Sequence, residues 1–256
     1  MSNFDLLPKD ILIELAIELD LPDIIKWCSL SKKFDSLTCK NDVFWRRKFI
    51  HDYGDYPKIG DYPKIGGFWK EIYKFVTVTN PNNLLWEGIE GHILIYVAIA
   101  LKRGADIENV RNFNYPLSKA SEKGNLKIVK YLVEQGADIS AQDNYAVGLA
   151  SEYGYLEVVK YLVGQGANVH VQDDYALQYA SENGHLDVVK YLVGLGSDVS
   201  AKNDYALRFS SYNGHLEVVK YLVEHGANVS AGNDEALYWA KQKNHFEIIY
   251  YLESLP

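Results

Sequence analysis

Only two cysteines, Cys28 and Cys39, occur in the 256 residues, and they do not form a CxxC pair. Two thiols cannot build a disulfide framework, so the chain is expected in a reducing, intracellular compartment. No run of 18 apolar residues is present, which excludes a helical membrane span. Residues Met1 to Asp10 carry two acids and no positive stretch ahead of an apolar core, so no signal peptide is expected. A basic footprint is also lacking. The net charge is −8; residues 1–83 hold 12 basic and 12 acidic side chains, and residues 84–256 hold 14 and 22. The acidic excess in the C-terminal two thirds disfavours a nucleic-acid backbone as partner. Enzyme signatures are missing too: there is no GxGxxG after a strand, no P-loop, no HExxH and no nucleophile elbow. Neither a catalytic, a cofactor nor a metal site is therefore expected. With 48% apolar and 23% charged residues, the chain is nonetheless globular in composition.

What the chain does have is repetition. KYLV recurs at Lys130–Val133, Lys160–Val163, Lys190–Val193 and Lys220–Val223, a period of 30. The longer unit DDYALQYASENGHLDVVKYLVGLGSDVSAK spans 173–202, flanked by close copies at 143–172 and 203–232 and an earlier one at 113–142. Segments 84–112 and 233–256 follow the pattern imperfectly, as capping repeats do. About six units result, the first and last atypical.

Each unit reads as helix, turn, helix, loop. The column Asn114, Asn144, Asp174, Asp204, Asp234 holds short acceptors and is expected to cap the first helix. Pro116 falls in a first turn, where its missing N–H costs nothing. Glycines 124, 154, 184 and 214, with Asn244 as substitute, predict left-handed residues ending the first helix. Glycines 136, 166, 196 and 226 do the same for the second. Glu157, Asp187, Glu217 and Glu247 open the second helix in keeping with its dipole, with Lys160, Lys190 and Lys220 three residues on.

The strings GHLDVVKYLV and GANV resemble ankyrin repeats over residues 84–256. The resemblance implies an all-α solenoid and a protein-binding role. Three departures stand out. The usual TPLH turn is Tyr115-Pro116-Leu117-Ser118 once and Tyr-Ala-Leu/Val afterwards, and its histidine is replaced by Ser118, Gly148, Gln178, Arg208 and Tyr238. The period is 30 rather than 33, so the projecting hairpin fingers are expected to be clipped. Binding should then fall to the short-helix face. Rotation by about 100° per residue, with Leu177 inward, turns Tyr175, Gln178, Tyr179 and Glu182 away. The candidate target-binding residues are Gln178, Tyr179, Glu182, Arg208, Phe209, Tyr212, Tyr238 and Trp239, suited to a partner with basic side chains and apolar anchors. For the column Lys119, Leu149, Tyr179, Phe209, Trp239, packing of repeat on repeat is the competing explanation. His185 and His215 occupy a column that Asn125 and Tyr155 also fill, which makes them structural rather than catalytic.

Residues 4–49 are compact and helical in pattern, with Ile11, Leu12, Leu15 and Leu19 at helical spacing and a break at Leu21-Pro22-Asp23. The ordered set Leu7-Pro8, Asp10-Ile11, Leu19-Asp20-Leu21, Asp23-Ile24, Ser31-Lys32 and Trp45 resembles an F-box, with Leu30 where valine is usual. The domains expected are an F-box-like domain over 1–50, a linker over 51–83 and ankyrin repeats over 84–256. The linker holds the hexamer DYPKIG twice, at 55–60 and 61–66, the mark of a loop tolerant of insertion. An F-box ahead of such repeats resembles the ankyrin-protein families of giant amoeba-infecting viruses (Mimivirus type), for which host cytoplasm is the expected location. The resemblance implies a substrate-recruiting adaptor of an SCF-type ubiquitin ligase. Leu7, Pro8, Ile11, Leu15, Leu19, Ile24, Ser31 and Lys32 would dock on a Skp-type adaptor of the cullin ligase. The alternative is a plain ankyrin binding or scaffolding protein whose N-terminal helices only cap the stack.

Overall fold

The computed structural model describes residues 42–53, 76–108 and 115–255, together with Ile13, Ala16, Ile24 and Tyr73. Seven of the eight F-box positions, both DYPKIG copies, Cys28 and Asn114 lie outside the described residues. Ile24 is helical and fully buried within the chain's own fold. The described residues are helical and hold no strand. They fall into two compact units, Met1–Asp106 and Ile107–Pro256.

In the first unit, α1 (Asp42–Tyr53) buries Phe44 and Trp45, and the Tyr73 ring packs 5.3 Å from Trp45. Lys48, itself buried, pairs with Asp52 at 2.7 Å, and the Tyr73 hydroxyl donates to the same carboxylate. A buried ammonium needs such a partner to stay charged. Helix α2 (Pro81–Glu90) starts on Asn80, whose side chain accepts the Asn82 N–H at 3.0 Å, with proline at its first position. It pairs with α3 (Leu94–Lys102) across Gly88, where an added Cβ would stand 2.8 Å from the backbone nitrogen of Val97. Arg103 then donates to the carbonyls of Val76, Thr77 and Thr79. One guanidinium thus satisfies three carbonyls at the exit of the preceding helical stretch.

The second unit is five helix pairs: α4 (Pro116–Glu122) with α5 (Leu126–Glu134), α6 (Ala141–Glu152) with α7 (Leu156–Gly164), α8 (Val171–Glu182) with α9 (Leu186–Gly194), α10 (Ala201–Asn213) with α11 (Leu216–Glu224), and α12 (Ala231–Lys243) with α13 (Phe246–Glu253). First helices stack on first helices and second on second. The glycine columns are left-handed as expected, with φ of +78° at Gly184 and +94° at Gly196, and Asn244 takes the same region at +61°. The chain reverses there through paired bonds, His185 N–H to Ala180 C=O at 2.9 Å and Gly184 N–H to Ser181 C=O at 3.2 Å. Glu157–Lys160 and Glu217–Lys220 close at 2.9 Å.

The Asn/Asp column is a correction. Asn144, Asp174 and Asp204 are not N-caps of their own helix. Each is left-handed and ends a run of three such residues: 142–144, 172–174, 202–204, and likewise 232–234. An N-cap needs extended backbone instead. Their buried side chains reach into the next loop. Asn144 accepts from the Asn168 N–H (2.8 Å), Asp174 from Asp198 (3.1 Å) and Asp204 from Asn228 (2.7 Å). Asn82 does the same for Asp106 at 2.8 Å in the first unit. A left-handed turn costs L-residues about 1–2 kcal/mol each. These acceptors secure it by satisfying a loop N–H 24 residues away.

Candidate protein-binding surface

The face named from the sequence is built by two columns of the first-helix row. In the column Tyr145, Tyr175, Tyr205 every residue is partly buried, and Tyr175 and Tyr205 lie against the preceding repeat. A Cβ larger than a hydrogen at Gly148 would stand 2.9 Å from the Tyr175 ring. Tyr205 donates its hydroxyl to Glu182 at 2.7 Å, and Tyr175 donates to Glu152 at 3.3 Å. Burial and these neighbouring carboxylates push both phenols well above the usual tyrosine range. Burial also raises the Glu152 carboxyl, although the Tyr175 hydrogen bond works against the rise.

The second column interleaves with the first. Tyr175 meets Tyr179 at 4.2 Å, Tyr179 meets Tyr205 at 6.1 Å, and Tyr205 stacks on Phe209 at 4.1 Å and 17°. Phe209 lies 6.3 Å from Tyr212, which meets Trp239 edge-on at 5.4 Å and 74°; Tyr238 meets Trp239 at 5.1 Å. Seven rings thus form one ladder across three repeats. Offset and edge-on aromatic pairs contribute about 0.5–1.5 kcal/mol each beyond area burial. Tyr179, Tyr212 and Trp239 therefore hold repeat to repeat, with Phe209 bridging Tyr205 and Tyr212 on its own helix, and all four stay only partly buried. Sequence reasoning left Tyr205 out because its column hardly varies, although a tyrosine every 30 residues was the available signal.

Two expectations about orientation are revised. Gln178 does not turn away: it is 3% exposed, and its amide donates to the Asp173 carbonyl. Arg208, a candidate target-binding residue, is tied into the stack instead. It pairs with Glu235 of the next unit at 2.5 Å and donates to the carbonyls of Lys202 (3.4 Å) and Asn203 (3.2 Å). The variable column Ser118, Gly148, Gln178, Arg208 thus faces a repeat junction, and in two copies it serves carbonyls left open by the left-handed turn. Only Tyr238 of that column is solvent-facing, at 52% exposure, in the last pair of helices. Glu182 is half-buried; its carboxylate holds Tyr205, and its carbonyl accepts from the Asn213 amide at 2.9 Å.

The histidine column packs as well. The His215 ring crowds Gly184, where a Cβ would come within 2.5 Å, and His245 Nε2 donates to the Tyr212 carbonyl at 2.9 Å. Burial holds His215 below the usual histidine range. Among the described residues no group of three His, Cys, Asp or Glu could hold a metal. No described helix is long and apolar enough to cross a membrane.

Against known proteins, the family description "Ankyrin repeats (3 copies)" matches at residues 90–173, 117–203 and 177–254, well over half of the chain. An ankyrin repeat protein of Acanthamoeba polyphaga mimivirus is 47% identical over 47 residues, a match covering 18% of this chain and 35% of the relative. Helix pairs stacked at a 30-residue step, closed by left-handed glycines and matched by that family over three overlapping segments, leave one assignment: the chain belongs to the ankyrin-repeat family.

Proposed function

We propose that the solenoid holds a target protein along its first-helix row, and that the N-terminal segment docks on a Skp-type adaptor, making the whole chain a substrate-recruiting adaptor of an SCF-type ubiquitin ligase. Ankyrin repeats are protein-interaction modules, and the aromatic ladder supports where the contact lies. Tyr179, Phe209, Tyr212 and Trp239 offer partly exposed rings, and Tyr238 offers an exposed one. Tyrosine and tryptophan are the residues most often found to anchor interfaces. The acidic excess of residues 84–256 favours a target with basic side chains. The ligase half of the reading rests on the ordered F-box-like matches from Leu7 to Lys32. A plain binding or scaffolding protein is the second reading, favoured by Ile24, which is buried in the chain's own fold rather than offered to a partner.

Two variants of the full chain separate the readings. Replacing Leu7 and Pro8 together by Ala should abolish co-purification of the Skp-type adaptor and cullin while the far-UV helix signal stands. Unchanged capture overturns the ligase reading and leaves the scaffold. Tyr238→Ala, at the one solvent-facing position of its column, should weaken target capture at least ten-fold and leave adaptor capture intact. Target capture that ignores this variant and Trp239→Ala alike moves the binding surface elsewhere.

A further inference from the structure

The C-terminal end of the ladder already holds a cation. The Lys243 ammonium sits 4.4 Å from the centroid of the Tyr212 ring. Trp239 stands 5.4 Å from the same ring at 74°, so the two aromatics form a corner and not a flat stack. Lys243 follows Trp239 by four residues on α12, one helical turn, which brings its stem back over the corner. Two other lysines lie over tyrosine rings in the second-helix row, Lys130 over Tyr161 and Lys190 over Tyr221. Both are farther out, at 5.5 and 5.8 Å, and both belong to the fixed repeat columns. The contact at Tyr212 is closer and belongs to residues that vary between repeats.

Lys243 is exposed and, among the described residues, makes no ion pair, although its neighbour Lys241 pairs with Glu253 at 2.6 Å. In a strongly acidic segment it rests on an aromatic face and not on a carboxylate. It is the last residue of α12, directly before left-handed Asn244, so its side chain can leave without disturbing a helix interior.

We propose that the Tyr212–Trp239 corner is a receptor for a lysine-type cation on the partner protein, and that Lys243 occupies it as a placeholder in the free chain. This rests on the reading of the first-helix row as the target surface, and it adds the chemistry of one contact. The ring quadrupole that draws Lys243 draws any ammonium presented in the same place. Exchange of one for the other keeps the aromatic face covered and sends Lys243 into water. A neutral or acidic side chain gains nothing from the exchange and leaves Lys243 where it is. The placeholder thus selects for charge and lowers the affinity for every occupant by the strength of its own contact. Tyr238, exposed and edge-on to Trp239, flanks the same corner and can cover the aliphatic stem of an incoming side chain.

The test uses the full chain labelled with 5-fluorotryptophan, the Trp239 resonance being assigned by its loss in Trp239→Phe. The probe is N-acetyl-lysine N-methylamide, with N-acetyl-norleucine N-methylamide as the uncharged control of similar shape. The lysine probe should shift the Trp239 resonance in a saturable way, and the norleucine control should not. Lys243→Gln, a surface change that leaves the fold intact, should bring saturation at a concentration about two- to five-fold lower, as expected for removing a competing exposed cation–π contact. Tyr212→Leu should abolish the shift. The proposal is overturned if the norleucine control shifts the resonance equally, or if Lys243→Gln binds the probe no more tightly than the parent chain. Should Tyr212→Leu fail to fold, those two comparisons still decide. The probe needs no target protein. A silent corner in a chain whose target capture still depends on Tyr238 sinks this inference alone, and a responsive corner with target capture indifferent to Tyr238 sinks the surface reading.

Discussion

A single column shows how far one-dimensional reading goes. Asn144, Asp174 and Asp204 were legible as backbone acceptors, because short polar side chains at a helix start have few other uses. Their partner was not legible: the N–H they satisfy lies 24 residues on, and sequence reasoning assigns an acceptor to its nearest donor. The true arrangement makes a sharp prediction. Asp204→Ala strands the Asn228 N–H and removes the side chain that secures a left-handed residue, so it should cost about 1–3 kcal/mol in urea denaturation. Asp204→Asn keeps an acceptor of the same reach, as Asn144 does two repeats earlier in the same column, and should lie within about 0.5 kcal/mol of the parent. If the two variants are equally damaging, charge and not the inter-repeat hydrogen bond is what the column supplies.

At the scale of the element, the 30-residue period correctly implied a short connection, and the described residues hold no strand where a hairpin finger would stand. How the chain closes so short a loop was hidden. Runs of three left-handed residues built from Gln, Asp, Lys and Asn carry no sequence signature of their own, and only Gly232 in the last run looks like what it does. The glycine columns, by contrast, were readable, and they separate two physical costs. Gly184 has φ +78° and lies under the His215 ring, where a Cβ would approach to 2.5 Å; Gly226 has φ +98° and open space around it. Gly226→Ala therefore meets backbone strain alone, about 1 kcal/mol. Gly184→Ala meets the same strain and must also displace an imidazole packed between repeats. Its melting temperature should fall several degrees further than that of Gly226→Ala. Equal losses would mean that the histidine column yields freely and does not hold the repeats together.

For the whole molecule, repeat, fold and family were all visible in the residues 84–256, whereas the orientation of single side chains at the repeat junctions was not. Gln178 and Arg208 differ in every property that suggests a free surface, yet both serve the turn beneath them. Within the second unit, the ladder of rings links these local devices from Tyr175 to Trp239. In a solenoid each unit touches only its neighbours, so stability is close to a sum of repeat and interface terms, and cooperativity depends on the weakest interface. Tyr205 reaches across one interface with two contacts, its hydroxyl on Glu182 and its ring toward Tyr179, and is backed within its own helix by its face on Phe209. Tyr205→Leu removes all three and should cost about 2–4 kcal/mol. Because two of the three contacts cross a junction, the loss should also uncouple the repeats to either side. The urea transition should then broaden with a lower slope, and amide exchange should accelerate across α8 to α13 while α2 and α3 keep their protection. A transition that shifts to lower urea with its slope intact, and protection lost evenly through the chain, would show that the second-helix row carries the coupling and that the aromatic ladder is free to serve binding alone.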